Sequence, residues 1–114
     1  MDIRIDSWKA QLRKGSAELA VLSVLSGGEM YGIEILARLS GAEGLGLSDG
    51  TIYPLLNRLQ REGRISARWV ENPGGGVPRK YYQLTDDGEA ARRAMVEAWA
   101  QFRAGLDRIV ESGS

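Results

Sequence analysis

The chain has 114 residues, the size of one small domain, because two cores of half that length would each be marginal. Lys and Arg number 15, Asp and Glu number 15, and both His and Cys are absent. The formal charge is therefore zero, and disulfides, thiolate or imidazole metal sites, Cys nucleophiles and Ser-His-Asp triads are all excluded. No cofactor is called for, and the chain does not read as an enzyme. The longest apolar stretch, Leu19 to Leu25, is far short of the roughly 20 residues that span a bilayer. Asp2, Arg4 and Asp6 stand where a signal peptide would be apolar, so a soluble, cytoplasmic protein is expected.

In chain order, residues 2 to 13 place Ile5, Trp8 and Leu12 on one face of a short amphipathic arm. Gly15 interrupts, and Ser16 can cap a second helix whose Leu19, Val21, Leu22, Val24 and Leu25 are apolar nearly all round, as in a central helix. Ser26-Gly27-Gly28 ends it. A third helix runs from Tyr31 to Leu39 with Ile35, Leu36 and Leu39 inward, and the glycine-rich stretch Gly41 to Gly46 stops that one. Ser48 can cap a fourth helix, which ends at Gly63. At 100° per residue Ile52, Leu55, Leu56 and Leu59 fall within an arc of about 100°, the core face. Pro54, Asn57 and Arg61 lie opposite, with Gly50 at the N-terminal end and Thr51, Tyr53 and Arg58 on the flanks. Pro54 cannot bond to the Gly50 carbonyl, which predicts a loosened first turn.

Ile65 to Val70 alternates as a strand, Asn72 to Pro78 is a loop, and Arg79 to Leu84 is a second, aromatic strand. Thr85 caps a last helix with Asp86, Asp87 and Glu89 at its positive end. Its apolar stripe is Ala91, Met95, Ala98, Phe102, Leu106 and Ile109, and the helix is roughly 38 Å long, more than the preceding domain needs. The fold class is mainly α with a small β-hairpin: an N-terminal arm and winged helix-turn-helix over residues 1–84, followed by a long C-terminal helix over 85–114.

The zero net charge conceals a segregation. Residues 48 to 83 carry six basic and three acidic groups, whereas residues 84 to 114 carry four and six. Arg58, Arg61, Arg64, Arg68, Arg79 and Lys80 are the donors that a phosphate backbone requires, and Asn57 and Arg61 can make bidentate contacts with base edges. The alternative for an isolated run of arginines is a solvated charged face.

Four segments resemble the PadR family of bacterial transcriptional regulators: Tyr31-Gly32; Gly50-Thr51-Ile52-Tyr53-Pro54-Leu55-Leu56-Asn57-Arg58-Leu59; Glu62-Gly63-Arg64-Ile65; and Arg79-Lys80-Tyr81-Tyr82-Gln83-Leu84-Thr85-Asp86-Asp87-Gly88. The resemblance covers about residues 16 to 88 and is to the short-tailed members, similar to multidrug sensors. It implies a homodimeric winged-helix repressor whose recognition helix enters the major groove of a pseudo-palindromic double-stranded operator. On that resemblance Ser48, Gly50, Thr51, Tyr53, Asn57, Arg58 and Arg61 at the helix, and Arg79 and Lys80 on the wing, would touch DNA. Ala91, Met95, Ala98, Trp99, Phe102, Leu106 and Ile109 would line the dimer seam.

Trp99 in Glu97-Ala98-Trp99-Ala100-Gln101-Phe102 resembles the tryptophan with which sensing members stack planar aromatic compounds between subunits. Met95 and Phe102 would line that slot, and Trp8 would join from the arm. Packing of the dimer seam is the alternative for all of these side chains. Two other functional readings remain open at this stage: a winged-helix protein-interaction module without DNA binding, and an aromatic small-molecule-binding protein.

Overall fold

The computed structural model describes residues 3–42 and 45–113. Its first element is one continuous helix, α1 (Ile3–Leu25), where the sequence suggested an arm and a separate capped helix. Gly15 and Ser16 do not break it, because each costs only about 1 kcal/mol or less relative to Ala inside a helix and the turns on both sides are long enough to absorb that. Ser16 does not cap. Its hydroxyl donates back to the Leu12 carbonyl at 2.7 Å, the bond that lets a serine sit in mid-helix.

A two-residue strand β1 (Met30–Tyr31) then precedes α2 (Gly32–Ala37), so the helix expected from Tyr31 starts one residue later. The Tyr31 amide donates to the Glu34 carboxylate at 3.1 Å, which satisfies a backbone donor at the entry to α2. Arg38–Ala42 continues as a wider π-helical turn rather than as regular helix. Residues 43 and 44, in the middle of the glycine-rich break, lie outside the described residues.

Helix α3 (Asp49–Arg61) runs through Pro54 without interruption and ends at Gly63, whose φ of 78° is a left-handed conformation that favours glycine. Strands β2 (Ile65–Val70) and β3 (Arg79–Leu84) pair antiparallel from Ile65 opposite Leu84 to Val70 opposite Arg79. β1 adds to the other edge of β3, Met30 opposite Tyr82 and Tyr31 opposite Tyr81, making a three-stranded sheet where a plain hairpin was expected. Two residues are too few to show alternation, which is why the sequence did not reveal them.

The core lies where α1, α2, α3 and the base of the wing meet. Val21, Leu22, Ile35, Ile52, Leu56, Leu59 and Ile65 are almost wholly buried, and the α3 set is the arc read from the sequence together with Leu55. α4 (Asp86–Gly113) is attached to this core by its first turns. The Thr85 hydroxyl accepts the Gly88 amide at 3.0 Å and donates to the Gly63 carbonyl at 2.6 Å, capping α4 and tying it to the end of α3. Ala91 and Met95 pack against the same core, whereas Phe102, Leu106 and Ile109 do not. The radius of gyration is 16.4 Å, against about 13 Å for a compact domain of this length. The excess comes from long helices reaching past the core they grow from.

Candidate nucleic-acid interface and aromatic groove

The polar face of α3 is open. Gly50, Thr51, Tyr53, Pro54, Asn57 and Arg61 are exposed, as is the cap Ser48. Asn57 and Arg61 have no ion pair or side-chain hydrogen bond among the described residues, so both are available to an incoming partner. Ser48 makes no capping bond to the α3 backbone, and its hydroxyl instead lies 3.5 Å from Thr51 Oγ1.

Three of the six cations singled out from the sequence have carboxylate partners within the chain. Arg58 donates to Glu18 at 2.7 Å and to both oxygens of Glu62 at 3.0 Å, and these bonds, that to Glu18 first, raise its pKa. Arg64 pairs with the other oxygen of Glu18, so a single carboxylate of α1 clamps α3 and the start of β2 together. Arg68 forms a two-pronged pair with Glu29 at 2.7 Å for both bonds, holding the Glu29 carboxyl below the usual carboxylate range. Apart from the i,i+4 pair of Arg58 with Glu62, none of these pairings was legible from local sequence, since the other partners are about 40 residues apart. The lone charge of Glu18 inside an apolar stretch was the signal that could have found the first.

The wing cations are held differently. Arg79 lies over the Tyr31 ring at 4.7 Å, and Lys80 stands above Trp69 at 5.9 Å and Tyr82 at 5.4 Å. Aromatic faces position a cation without neutralising it. Tyr53 leans from α3 against the start of α2: a Cβ on Gly32 would come within 3.1 Å of its ring, so glycine there permits the contact. Tyr31, Tyr53, Trp69, Val77, Arg79 and Lys80 thus share one cleft of about 410 Å³ between the helix and the wing.

A second concavity lies between α1 and the middle of α4. Trp8, Leu12 and Leu19 face Met95, Trp99 and Phe102 across a groove of about 510 Å³. The Trp99 and Phe102 rings stack at 6.2 Å with 28° between their planes. Trp8 is 56% exposed and Trp99 45%, so the groove is open along one side rather than filled. The four residues assigned to a ligand slot therefore meet in one place. Of the seven assigned to a dimer seam, Ala91 and Met95 are half-buried against the chain's own core, while Ala98, Trp99, Phe102, Leu106 and Ile109 remain exposed.

A family model, the transcriptional regulator PadR-like family, matches residues 21–94, from near the end of α1 through the wing into α4. The chain belongs to the PadR-like family of transcriptional regulators. Among solved PadR-like structures, a PadR family transcriptional regulator of Eggerthella lenta is 30% identical, superposes with a TM-score of 0.84, and covers 96% of this chain and 95% of its own. The PadR of Bacillus subtilis in complex with operator DNA is also 30% identical, with a TM-score of 0.63 over 70% of this chain and 46% of that one. A transcriptional regulator of Mycobacterium tuberculosis is 27% identical over 108 residues, which is 91% of this chain and 98% of the relative. The open face of α3 and the wing lie inside the family match, whereas Met95, Trp99 and Phe102 lie beyond its end. No described helix of this PadR-like chain is long and apolar enough to cross a membrane.

Proposed function

We propose that the chain is a cytoplasmic, homodimeric repressor that binds a pseudo-palindromic operator and releases it when a planar aromatic or hydrophobic compound occupies the groove between α1 and α4. The observation that carries the DNA-binding part is the uncommitted polar face of α3, with Asn57 and Arg61 unpaired and the cations Arg79 and Lys80 raised beside it on aromatic rings. A face of that kind fits a major groove, with Asn57 and Arg61 toward base edges and Ser48, Gly50, Thr51 and the wing toward phosphate. Tyr53 and Arg58 stand at its borders. The operator complex of the Bacillus subtilis relative supports the same reading.

Dimerisation follows from the stripe on α4. Phe102 is 62% and Ile109 69% exposed, and with Leu106 they form an apolar ridge that water alone would cover poorly. A two-fold seam there would set the two recognition helices roughly one turn of DNA apart. It would also bring two Trp99 side chains near each other, enclosing the open side of each groove. A ligand acts on operator affinity only through different affinities for two dimer geometries.

Selecting duplexes from a random-sequence pool with the full chain and then measuring affinity against salt tests the reading. Affinity should fall steeply between about 50 and 200 mM salt; a flat response would remove the phosphate contacts, and failure to retain any duplex would favour a protein-interaction module. Arg61→Ala should weaken the selected duplex by about 1–3 kcal/mol and relax preference at one base position. Equal loss on selected and random duplexes would assign Arg61 to phosphate alone.

The effector reading rests on the groove. Trp fluorescence of the native chain should be quenched by planar aromatic dyes, and Trp99→Ala should lose most of that quenching at unchanged melting temperature. Quenching that survives the substitution would place the slot elsewhere and leave Trp99 as packing.

A further inference from the structure

We propose that Arg13 and Lys14 of α1 form a second phosphate-gripping edge of the DNA interface, on the side of α3 opposite the wing. This rests on the DNA-binding reading above and extends it to a helix that the winged-helix plan leaves out of the interface. A groove of about 520 Å³ runs between α1 and the start of α3, lined by Ala10, Arg13, Lys14, Leu47, Ser48 and Thr51. Among the described residues it is lined by two cations and two hydroxyls and by no carboxylate. Asp49, at the start of α3, does not line it, and one of its oxygens accepts the Gly50 amide at 2.8 Å. Neither Arg13 nor Lys14 has a carboxylate partner among the described residues, which sets them apart from Arg58, Arg64 and Arg68.

Position gives the groove its meaning. Around α3, the outward centre is Gly50, Asn57 and Arg61; Tyr53 and Gln60 fall on one flank, Thr51 and Arg58 on the other. Tyr53 shares its cleft with the wing cations. Thr51 shares two adjoining grooves with Lys14, and the second of these, about 460 Å³, also reaches Pro54, Arg58 and Arg61 and includes Glu18, whose carboxylate is engaged by Arg58 and Arg64. Lys14 therefore borders the reading face itself.

A helix seated in a major groove about 12 Å wide has a sugar-phosphate wall on each side. On the wing side Arg79 and Lys80 meet one wall. On the other side Arg58 is the recognition helix's own cation, and it is engaged by Glu18 and Glu62. Arg13 and Lys14 are the uncommitted cations of that flank, and the occupant whose charge and extended shape fit a groove running alongside α3 is the phosphodiester backbone of the same duplex.

The test uses the full chain with two fluorescent duplexes of about 30 base pairs, one recovered by selection with the native protein and one of random sequence, titrated across a salt series. Each phosphate contact contributes about 0.9 to the slope of log affinity against log salt, so Arg13→Gln with Lys14→Gln should flatten the slope by about 1.8 per bound subunit, about 3.6 for the proposed dimer. Because phosphate carries no sequence information, both duplexes should weaken by a similar factor. The charge-preserving pair Arg13→Lys with Lys14→Arg should keep the native slope. Arg103→Gln with Arg108→Gln, which removes the same charge from distal α4, should change it by less than half a unit. The proposal is overturned if the Gln pair at 13 and 14 leaves the slope unchanged, if the distal pair flattens it equally, or if the loss is confined to the selected duplex. Native binding with an unchanged slope in the Gln pair would refute this edge and leave the operator-binding reading standing; absence of native binding to either duplex would refute both. If the Gln pair instead abolished capture of an acidic protein while leaving DNA untouched, the groove would be a protein site and the proposal would fall.

Discussion

Gly88→Ala is expected to lower the melting temperature by about 10–15 °C, from a loss of roughly 3 kcal/mol. Gly88 is buried in the first turn of α4, directly over the turn that joins α3 to β2. A Cβ there would overlap the Arg64 carbonyl oxygen outright and come within 2.9 Å of the Arg64 carbonyl carbon and 3.3 Å of Leu84. Those first two atoms are backbone, and they cannot move aside as a flexible side chain would. The Arg64 carbonyl also accepts the Thr85 amide at 3.2 Å, so shifting it disturbs the cap of α4 and the junction with the wing together. The same chemical change at Gly15, where a Cβ would meet nothing within 4 Å, should have the opposite sign. There alanine gains about 0.5–1 kcal/mol of helix propensity with no clash. Thermal unfolding of the two variants beside the native chain checks both signs, and equal melting temperatures would show that α4 is not seated on Arg64 as described.

In the homodimer proposed above, Leu106→Asp is expected to leave a monomer at micromolar concentration, as read by light scattering on a sizing column. Leu106 lies between Phe102 and Ile109 on the part of α4 that has no core of its own to cover, and it is 45% exposed in the single chain. Across a two-fold axis each substitution introduces two carboxylates into one apolar seam, each desolvated and close to the other. The monomer should keep its melting transition, because Leu106 contributes nothing to the intrachain core. Its affinity for a duplex with two half-sites should fall by about 100-fold or more, the advantage of linking two heads, while non-specific binding to random sequence declines far less. A variant that remains dimeric would place the seam on another face.

How much of this was readable in advance depends on whether the deciding interaction is local. The arc of Ile52, Leu55, Leu56 and Leu59, the strand pair from Ile65 to Val70 and Arg79 to Leu84, and the Thr85 cap were each written in a few consecutive residues. Periodicity and hydrogen-bonding chemistry act over that distance. The continuity of α1 across Gly15 and Ser16 was misread for the same reason. A glycine followed by a possible cap is a stop signal in isolation, and packing along α3 and α4 overrides it at a cost of about 1–2 kcal/mol. β1 exists only because β3 offers a free edge, which no property of Met30 and Tyr31 announces.

The candidate site divides along the same line. The grouping of Trp8 with Met95, Trp99 and Phe102 was suggested by spacing and resemblance, and the structure brings the four side chains around one groove. The availability of each cation was not legible. Arg58, Arg61, Arg64 and Arg68 look alike in sequence, yet Glu18 and Glu29 engage three of them and leave Arg61 open. Glu89 is engaged similarly within α4, where Arg92 and Arg93 hold its carboxyl at about 2.

Residue chemistry over a turn or two of chain was thus enough to specify α3 and its core face, the β2–β3 pair, α4, the family resemblance and the separation of a basic segment from an acidic one. Which charges are free depends instead on how distant elements meet. Ion pairing needs approach to within about 4 Å between residues some 40 apart in sequence, and folding alone sets that distance. The zero net charge is thus a sum over paired and unpaired groups, and it is unpaired ones, among them Arg61 on α3, Arg13 and Lys14 beside it and Arg79 and Lys80 on the wing, that are left to meet DNA in the proposed interface.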